Sequence, residues 1–216
     1  MRARLLGGVV AAAAAVTLAA GCSDSSTPAT APTAAPAATS APRAPAAAGT
    51  PISAEHDAAD VAFAQGMIPH HSQAIAMSSQ APSRAAAQEV RALAGTIEQA
   101  QAPEIEQMNQ MLAAWGAPAP QPGATSMPGM PGMPMGGMAM PGMMDAGQMQ
   151  QLSTLSGPAF DRAFLQMMIE HHTGAVQMAQ TEVAQGQNPQ AKALAQSIIA
   201  DQQSEIVQMQ ALLSRV

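Results

Sequence analysis

Four stretches of the chain carry apolar side chains at intervals of three and four residues, the spacing of one face of an α-helix. In chain order, these stretches cover about 55–79, 83–115, 157–185 and 189–216. Gly116 and Pro118 follow the second stretch and should end it, and Pro189 lies where a helix start favours proline. The pattern therefore predicts an all-α fold.

The second pair of stretches repeats the first. Phe63–Trp115 aligns without a gap to Phe164–Val216, with about one residue in three identical. Two helix pairs joined by a long crossing linker predict a four-helix bundle with pseudo-twofold symmetry. The first half should be less regular, because Pro69 should kink its first helix and Pro82 and Pro103 should interrupt its second.

The chain begins with an export segment and a tether. A charged start and a short apolar run predict a signal peptide over 1–21, and small residues before Cys22 resemble a lipoprotein cleavage site. An ordinary signal peptide with an incidental cysteine is the alternative. Ser, Thr, Pro and Ala dominate 22–54, which predicts a disordered tether. We therefore expect an exported protein held on the outer face of the cell membrane by a lipid on Cys22.

Composition excludes some classes of function. The formal net charge is −6 and there is no basic cluster, so nucleic-acid binding is not expected. One Trp, three Phe and no Tyr offer little surface for stacking bases or sugars. A single Cys also excludes an internal disulfide framework.

Each half carries the sequence Met-x-x-His-His on the face that a bundle turns inward. Imidazole and thioether are ligands that soft transition metals, copper above all, prefer. An aspartate and a second methionine fall on the same arc of each helix. The candidate metal ligands of the two helices are Asp60, Met67, His70, His71 and Met77, and Asp161, Met168, His171, His172 and Met178.

The other helix of each pair adds a carboxylate and a thioether. Glu104 and Met108 share a face in the first half, as do Glu205 and Met209 in the second. A buried carboxylate needs a partner, and the histidines, or a metal they hold, are the natural ones. Such a carboxylate would also fix the imidazole tautomer for metal binding.

The linker gives a second, independent indication of metal binding. Residues 116–148, between the helix pairs of 55–115 and 149–216, are rich in Pro, Gly and Met, and regular structure is not expected over 116–147. Thioethers on flexible chain suit Cu(I), and we expect no core for them to join. Low-complexity drift or a sticky apolar segment is the alternative. The candidates are Met127, Met130, Met133, Met135, Met138, Met140, Met143 and Met144.

A plain structural role competes with metal binding. Methionine at helical spacing usually fills a core, and a histidine on an apolar face is commonly a hydrogen-bonded core residue. The duplication supports a symmetric role, structural or metal-binding, without choosing between them. His56 has no counterpart in the second half and is expected to be a solvated residue.

Two patterns carry a family resemblance. Asp-x-x-Phe-x-x-x-Met-Ile-x-His-His-x-x-Ala-x-x-Met begins at Asp60 and again at Asp161, and Gln-x-x-Glu-Ile-x-x-Met follows in each half. Over about 55–115 and 150–216 the chain resembles secreted bacterial proteins grouped as domain of unknown function 305. The resemblance implies a ferritin-like antiparallel four-helix bundle. It also implies copper binding, since a periplasmic copper-binding protein of cyanobacteria is a member.

Three functions follow as hypotheses. The first is a protein that sequesters copper, confers tolerance to it or passes it to an unidentified partner protein, with Cu(I) favoured and Cu(II) admissible. The second is a structural or interaction bundle with a His/Glu hydrogen-bonded core and no metal. The third, a di-iron oxidase, predicts inward Glu-x-x-His pairs. The chain has no such pair, so we do not expect an enzyme.

Overall fold

The computed structural model describes residues 51–120 and 140–216, and within these ranges the secondary structure is entirely helical. Four long helices form the bundle and two short ones lie beside it, so the all-α prediction is confirmed. The helices are α1 (Ala58–Ser78), α2 (Ala81–Arg84), α3 (Gln88–Trp115), α4 (Ala146–Thr154), α5 (Gly157–Gln185) and α6 (Pro189–Leu213). None of them combines the length and apolar character needed to cross a membrane.

The helix ends follow local chemistry. The Asp57 side chain caps α1. In return, the Asp60 side chain accepts a hydrogen bond from the Asp57 amide, which completes a capping box. Asn188 caps α6, where Pro189 occupies the first turn. Gly116 ends α3 in the left-handed conformation, with φ of 66°.

Two buried apolar clusters set the direction of each helix. The first apolar cluster contains Phe63 and Met67 of α1, and the second contains Met77 from the far end of the same helix. Helix α5 runs the opposite way, because Phe164 lies in the second cluster and Met178 in the first. By the same reasoning, α3 runs antiparallel to α1, and α6 antiparallel to α5. The antiparallel bundle is therefore confirmed.

This arrangement makes α3 and α5 parallel, so the chain between them must return along the bundle. Helix α3 ends in the first cluster and α5 begins in the second. Met140–Met144, which we call the strap, makes the last part of that crossing, with Met140 in the first cluster and Met144 in the second. A long crossover of this kind is typical of ferritin-like bundles.

The proline predictions are partly wrong. Helix α3 continues through Pro103 without a break, so the predicted interruption there is wrong; α1 also continues through Pro69, where the kink stays a prediction. Pro82 lies in the first turn of α2, and three non-helical residues separate α2 from α3, which begins at Gln88 rather than near residue 83. The pair α1 and α2 thus corresponds to the single helix α5.

Two further regions differ from the sequence expectations, and two lie outside the described residues. Helix α4 begins at Ala146, inside the segment expected to be irregular. The end of the predicted tether contacts the bundle, since the Ser53 carbonyl accepts hydrogen bonds from Trp115 Nε1 and Asn188 Nδ2, each at 3.1 Å. Residues 1–50, with the predicted signal peptide and Cys22, lie outside the described residues, as do 121–139.

Candidate metal-binding layer

The four inward histidines lie between the two apolar clusters. Helices α1 and α5 each contribute two adjacent imidazoles, and all four side chains are buried. The rings of His70 and His171 meet across the bundle with their centroids 3.8 Å apart and their planes inclined by 46°. His172 lies further away, its centroid 6.3 Å from that of His171. We call these four residues, with Gln101, Glu104, Gln202 and Glu205 beside them, the polar layer.

Two of the histidines bond to the glutamates of the neighbouring helices. His71 Nε2 donates to Glu104 Oε2 at 2.9 Å, and His172 Nε2 donates to Glu205 Oε2 at 2.7 Å. The pairing expected from the sequence is therefore present in both halves. Each bond places the proton on Nε2 and leaves the lone pair on Nδ1, the state in which a histidine can bind a metal through Nδ1.

The other two histidines differ from each other. His70 Nε2 donates to the Pro141 carbonyl of the strap at 2.9 Å, whereas neither ring nitrogen of His171 has a hydrogen-bond partner. All four histidines share an unpartnered, buried Nδ1. Three imidazoles are thus held as Nε2–H tautomers with a free Nδ1, while no hydrogen bond fixes the tautomer of His171.

Burial keeps the central imidazoles uncharged. It lowers the pKa of His70 to about 3, with repulsion from His71 and His172 adding to the effect and the Pro141 carbonyl opposing it. Burial, followed by repulsion from His70, also holds the pKa of His171 well below its usual value. At neutral pH both rings are therefore neutral, as a metal ligand must be.

Two buried glutamines add unpartnered atoms to the layer. Gln101 and Gln202 occupy equivalent positions in α3 and α6 and are 2% and 3% exposed. Both polar atoms of the Gln101 amide and Oε1 of Gln202 have no hydrogen-bond partner. A buried polar atom left unsatisfied costs about 1–3 kcal/mol. Five ring nitrogens of the layer are also unpartnered, and in the neutral form of the four imidazoles four of these nitrogens carry a free lone pair, so the layer could bind a ligand that accepts lone pairs.

Methionine thioethers lie on both sides of the layer. Within residues 51–120 and 140–216, no three His, Cys, Asp or Glu side chains are placed to hold one metal ion. A metal ion in the layer would therefore combine imidazole with sulfur, the donor pair that suits copper. The buried methionines from the sequence prediction are Met67, Met108 and Met178 in the first cluster, and Met77, Met168 and Met209 in the second.

The two motif aspartates lie outside the polar layer and bind backbone amides. Asp60 accepts bonds from the amides of Gln187 and Asn188 at 3.2 and 2.9 Å, in the turn between α5 and α6. Asp161 accepts from Ala86 and Ala87 at 3.1 and 2.9 Å, just before α3. Each aspartate fastens one helix pair to the turn of the other. This use accounts for both motif positions without a metal, and ligation by either aspartate stays a prediction.

Asp60 also faces a buried glutamate that the sequence did not reveal. Burial raises the pKa of Glu182 to about 8, and the hydrogen bond and charge of Asp60 add to this. Burial also acts to raise the pKa of Asp60, but hydrogen bonds from Glu182 and from the amides of Asp57, Asn188 and Gln187 outweigh it and hold that pKa low. At neutral pH Glu182 therefore keeps its proton beside the ionised Asp60.

The end of the Met-rich linker belongs to the core. Met140 and Met144 are each 2% exposed, and Met143 packs against the first cluster. The expectation that the linker methionines have no core to join is therefore wrong for these three. Met127, Met130, Met133, Met135 and Met138 lie outside the described residues.

Sequence reasoning did not identify the residues that hold the strap. Gln73 bonds both backbone groups of Met144, donating to its carbonyl at 2.8 Å and accepting from its amide at 2.7 Å. Gly174 lies against the Pro141 carbonyl, where a side chain would collide. These two positions are equivalent in the alignment of the halves and carry very different residues. This difference, within an otherwise similar segment, is the sequence feature that could have indicated a contact made by only one half.

Together these features define an all-helical bundle with a buried layer of paired histidines flanked by methionines. The chain belongs to the family described as Domain of unknown function (DUF305), whose profile matches residues 60–213. No curated protein shows significant similarity to it.

Solved structures show the same fold. A DUF305 protein from Streptomyces coelicolor, thought to be secreted, is 39% identical, with a TM-score of 0.63 over 72% of this chain and 92% of its own. A DUF305 fragment from Deinococcus radiodurans is 32% identical, with a TM-score of 0.62 over 74% of this chain and 98% of its own. CopM in its Cu(II)-bound form is 31% identical, with a TM-score of 0.58 over 72% and 95%. Its Cu(I)-bound form is 30% identical, with the same TM-score and coverage.

Proposed function

We propose that this protein binds copper outside the cytoplasm and serves to sequester it, to confer tolerance to it or to pass it to a partner protein. The similarity to CopM, whose structures contain Cu(I) and Cu(II), supports copper as the metal. The similarity to a protein thought to be secreted, together with the apolar N-terminal run, supports export. Cys22 would carry the lipid that holds the protein at the membrane.

The observation that carries the proposal is the state of the four histidines. Each presents a buried Nδ1 without a hydrogen-bond partner, and three are held as Nε2–H tautomers by an acceptor on Nε2. A histidine that only stabilised the core would be expected to satisfy both nitrogens, since an unpaired buried polar atom is costly. Hydrogen bonding at one nitrogen with the other left free is instead typical of metal-binding histidines.

The charge of the layer favours Cu(I) over Cu(II). Its free donors are imidazoles and thioethers, which bind a metal as uncharged groups, while Glu104 and Glu205 are already bonded to histidines. Burying an ion is costly, and the cost is greater for a divalent than for a monovalent ion. A soft monovalent ion on nitrogen and sulfur ligands meets these conditions best. A Cu(II) ion would also need a negatively charged ligand, which one of the two glutamates could supply.

The linker methionines would act earlier than the bundle. In this proposal, Met127, Met130, Met133, Met135 and Met138 collect Cu(I), and the polar layer stores it. Thioethers suit this task outside the cytoplasm, where cysteines would oxidise to disulfides.

Competition with a chromogenic Cu(I) chelator tests the proposal. We expect wild-type protein to withdraw Cu(I) from the chelator, and a variant with His70, His71, His171 and His172 changed to Ala to withdraw fewer equivalents. His56→Ala is the matched control, because His56 stacks on Trp115 away from the layer. Circular dichroism would establish that each variant is helical. Absence of Cu(I) binding by the wild-type protein would refute the proposal.

A structural role is the second candidate, and one observation favours it. The bonds from His71 to Glu104 and from His172 to Glu205 tie α1 to α3 and α5 to α6. On this alternative, loss of the histidines lowers the melting temperature equally with and without copper. Copper-induced stabilisation of the wild-type protein that the histidine variants lack would favour metal binding instead.

A further inference from the structure

The strap passes the polar layer at His70. It begins in the first apolar cluster with Met140 and ends in the second with Met144, so its middle residues pass the histidines. There the Pro141 carbonyl accepts the Nε2 proton of His70 at 2.9 Å. The strap is therefore the only non-helical backbone of residues 51–120 and 140–216 that hydrogen-bonds to one of the four histidines.

The strap fits closely against helix α5. Gly142 has a φ of +76°, and a Cβ there would lie 2.6 Å from the Glu170 carbonyl oxygen and 2.9 Å from that of His171. Gly174 faces it from the helix, and a side chain at that position would collide with the Pro141 carbonyl. The two glycines thus allow backbone to contact backbone beside His171.

Helix α1 holds the other side of the strap. The Gln73 amide makes two hydrogen bonds to the backbone of Met144, at 2.7 and 2.8 Å. A segment that served only to connect α3 with α4 would need neither this clamp nor the glycine contact. These contacts therefore hold the strap at a fixed position along the bundle relative to His70.

We propose that the strap is part of the metal site: the Pro141 carbonyl sets the tautomer of His70, and the Met140 thioether is a ligand shared with the histidines. This proposal rests on the copper-binding function above and adds to it the end of the linker. Metal collected by the linker would then reach the layer through a residue of the same segment.

Two features select Met140 from the linker methionines. It immediately precedes the residue that bonds His70, and it is buried in the first apolar cluster with Met67 and Met178. A thioether on the strap could join imidazole nitrogen from α1 and α5 around one Cu(I), which accepts two or three soft ligands. Met144, at the other end, lies in the second cluster and is held through its backbone.

The first experiment needs no metal. Gly174→Ala should displace the strap, and Gln73→Ala should release its other end. Two-bond ¹H–¹⁵N correlation spectra of the metal-free protein report which ring nitrogen of His70 is protonated. We expect the wild-type protein to hold the proton on Nε2 and both variants to lose this preference. Gly95→Ala is the matched control, since a Cβ there meets no atom within 4 Å.

The second experiment measures Cu(I) affinity by chelator competition. Displacing the strap should weaken binding by about tenfold or more, as loss of an orienting partner usually does. Met140→Leu removes the sulfur and keeps the apolar volume, and it should weaken binding by a similar factor. Met111→Leu, a buried methionine of the same cluster that we do not assign as a ligand, should bind as the wild-type protein does.

The outcomes separate this proposal from the one it rests on. A tautomer of His70 that does not respond in either variant would overturn the role of Pro141, whatever the protein binds. Unchanged affinity in Met140→Leu, beside wild-type protein that binds Cu(I) through its histidines, would overturn the role of Met140 alone. Wild-type protein that binds no Cu(I) would overturn both the copper function and the strap ligand.

Discussion

The two halves of the bundle agree closely in some contacts and differ in others. His71 bonds Glu104 at 2.9 Å, and its counterpart His172 bonds Glu205 at 2.7 Å. Asp60 and Asp161 likewise bind equivalent pairs of amides in the turn of the opposite half. The contacts that join two helices have therefore remained symmetric.

The histidines at the centre are not symmetric, and the strap is the reason. A single strap crosses a layer that has two equivalent sides, so it can serve only one of them. Its carbonyl bonds His70 and leaves His171 without a partner. Its path also explains why glutamine occupies position 73 and glycine the equivalent position 174. The contacts of the His–Glu pairs and of the aspartates therefore occur in both halves, whereas those made by the strap occur in only one half.

The largest expected difference between the halves concerns their aromatic residues. Phe164→Ala should cost about 3–5 kcal/mol of unfolding free energy, as is usual for a buried phenylalanine. Phe160 stacks on Phe164 with centroids 5.8 Å apart, whereas Phe63 has alanine at the equivalent position. Phe63→Ala should thus cost about 1 kcal/mol less, since aromatic pairs add about 0.5–1.5 kcal/mol.

Urea denaturation measures both phenylalanine variants. Val207→Ala is the control, because Val207 is 66% exposed and its loss should change stability by less than about 0.5 kcal/mol. Equal losses for Phe63→Ala and Phe164→Ala would mean that the aromatic pair contributes nothing beyond its burial.

The His–Glu contacts should be equivalent in energy. Glu104→Ala and Glu205→Ala each leave a buried Nε2–H without its acceptor, which costs about 1–3 kcal/mol. We expect the two losses, measured by the same denaturation in metal-free protein, to agree within about 0.5 kcal/mol. Glu106→Ala, on the exposed side of α3, should have almost no effect. A clear inequality between the halves would show that the strap influences these pairs too.

Glu182 should make one end of the bundle sensitive to pH. Its pKa is raised from 4.5 to about 8, so the folded protein keeps a proton that the unfolded chain releases. Raising the pH through this window therefore lowers the free energy of unfolding, and the loss is complete above the folded pKa. Glu182→Gln cannot ionise and still has a donor for Asp60, so its stability should not decline in this way.

The measurement is denaturation at several pH values between 4.5 and about 8. Glu106→Gln, exposed on α3, should retain the wild-type decline. The equivalent of Glu182 in the first half is Ala81, so only one of the two Asp contacts should depend on pH in this window. A Gln variant with the same slope as the wild-type protein would assign the titration to another group.

The repeat pattern made most of the bundle predictable, because helical spacing and internal similarity are both properties of sequence. The partnership of histidine with glutamate also followed, since a buried carboxylate needs a partner. The non-helical residues that separate α2 from α3 and the continuity of α3 through Pro103 did not follow. Whether a proline ends a helix depends on the packing around it, which local sequence does not contain.

The role of the motif aspartates and the strap was hidden for a different reason. Both depend on contacts between residues far apart in the chain, such as Asp60 with Asn188 and Pro141 with His70. Helical spacing correctly placed Asp60 on the inward face of α1. It could not show that the start of this helix contacts the turn between α5 and α6 rather than the polar layer. The burial of Met140 was equally invisible in a segment of low complexity.

The smallest expected effect comes from giving a side chain to one glycine of the first half whose equivalent in the second half has one. Gly95 lies inside α3, and the equivalent residue of α6 is Gln196, a good helix former. A Cβ at Gly95 meets nothing within 4 Å, so Gly95→Ala should stabilise the protein by about 0.5–1 kcal/mol through the lower entropy of the unfolded chain. Thermal denaturation should detect this as a small rise in melting temperature. Destabilisation would mean that α3 requires a flexible position opposite α1, and the irregularity of the first half would then extend beyond its prolines and the strap.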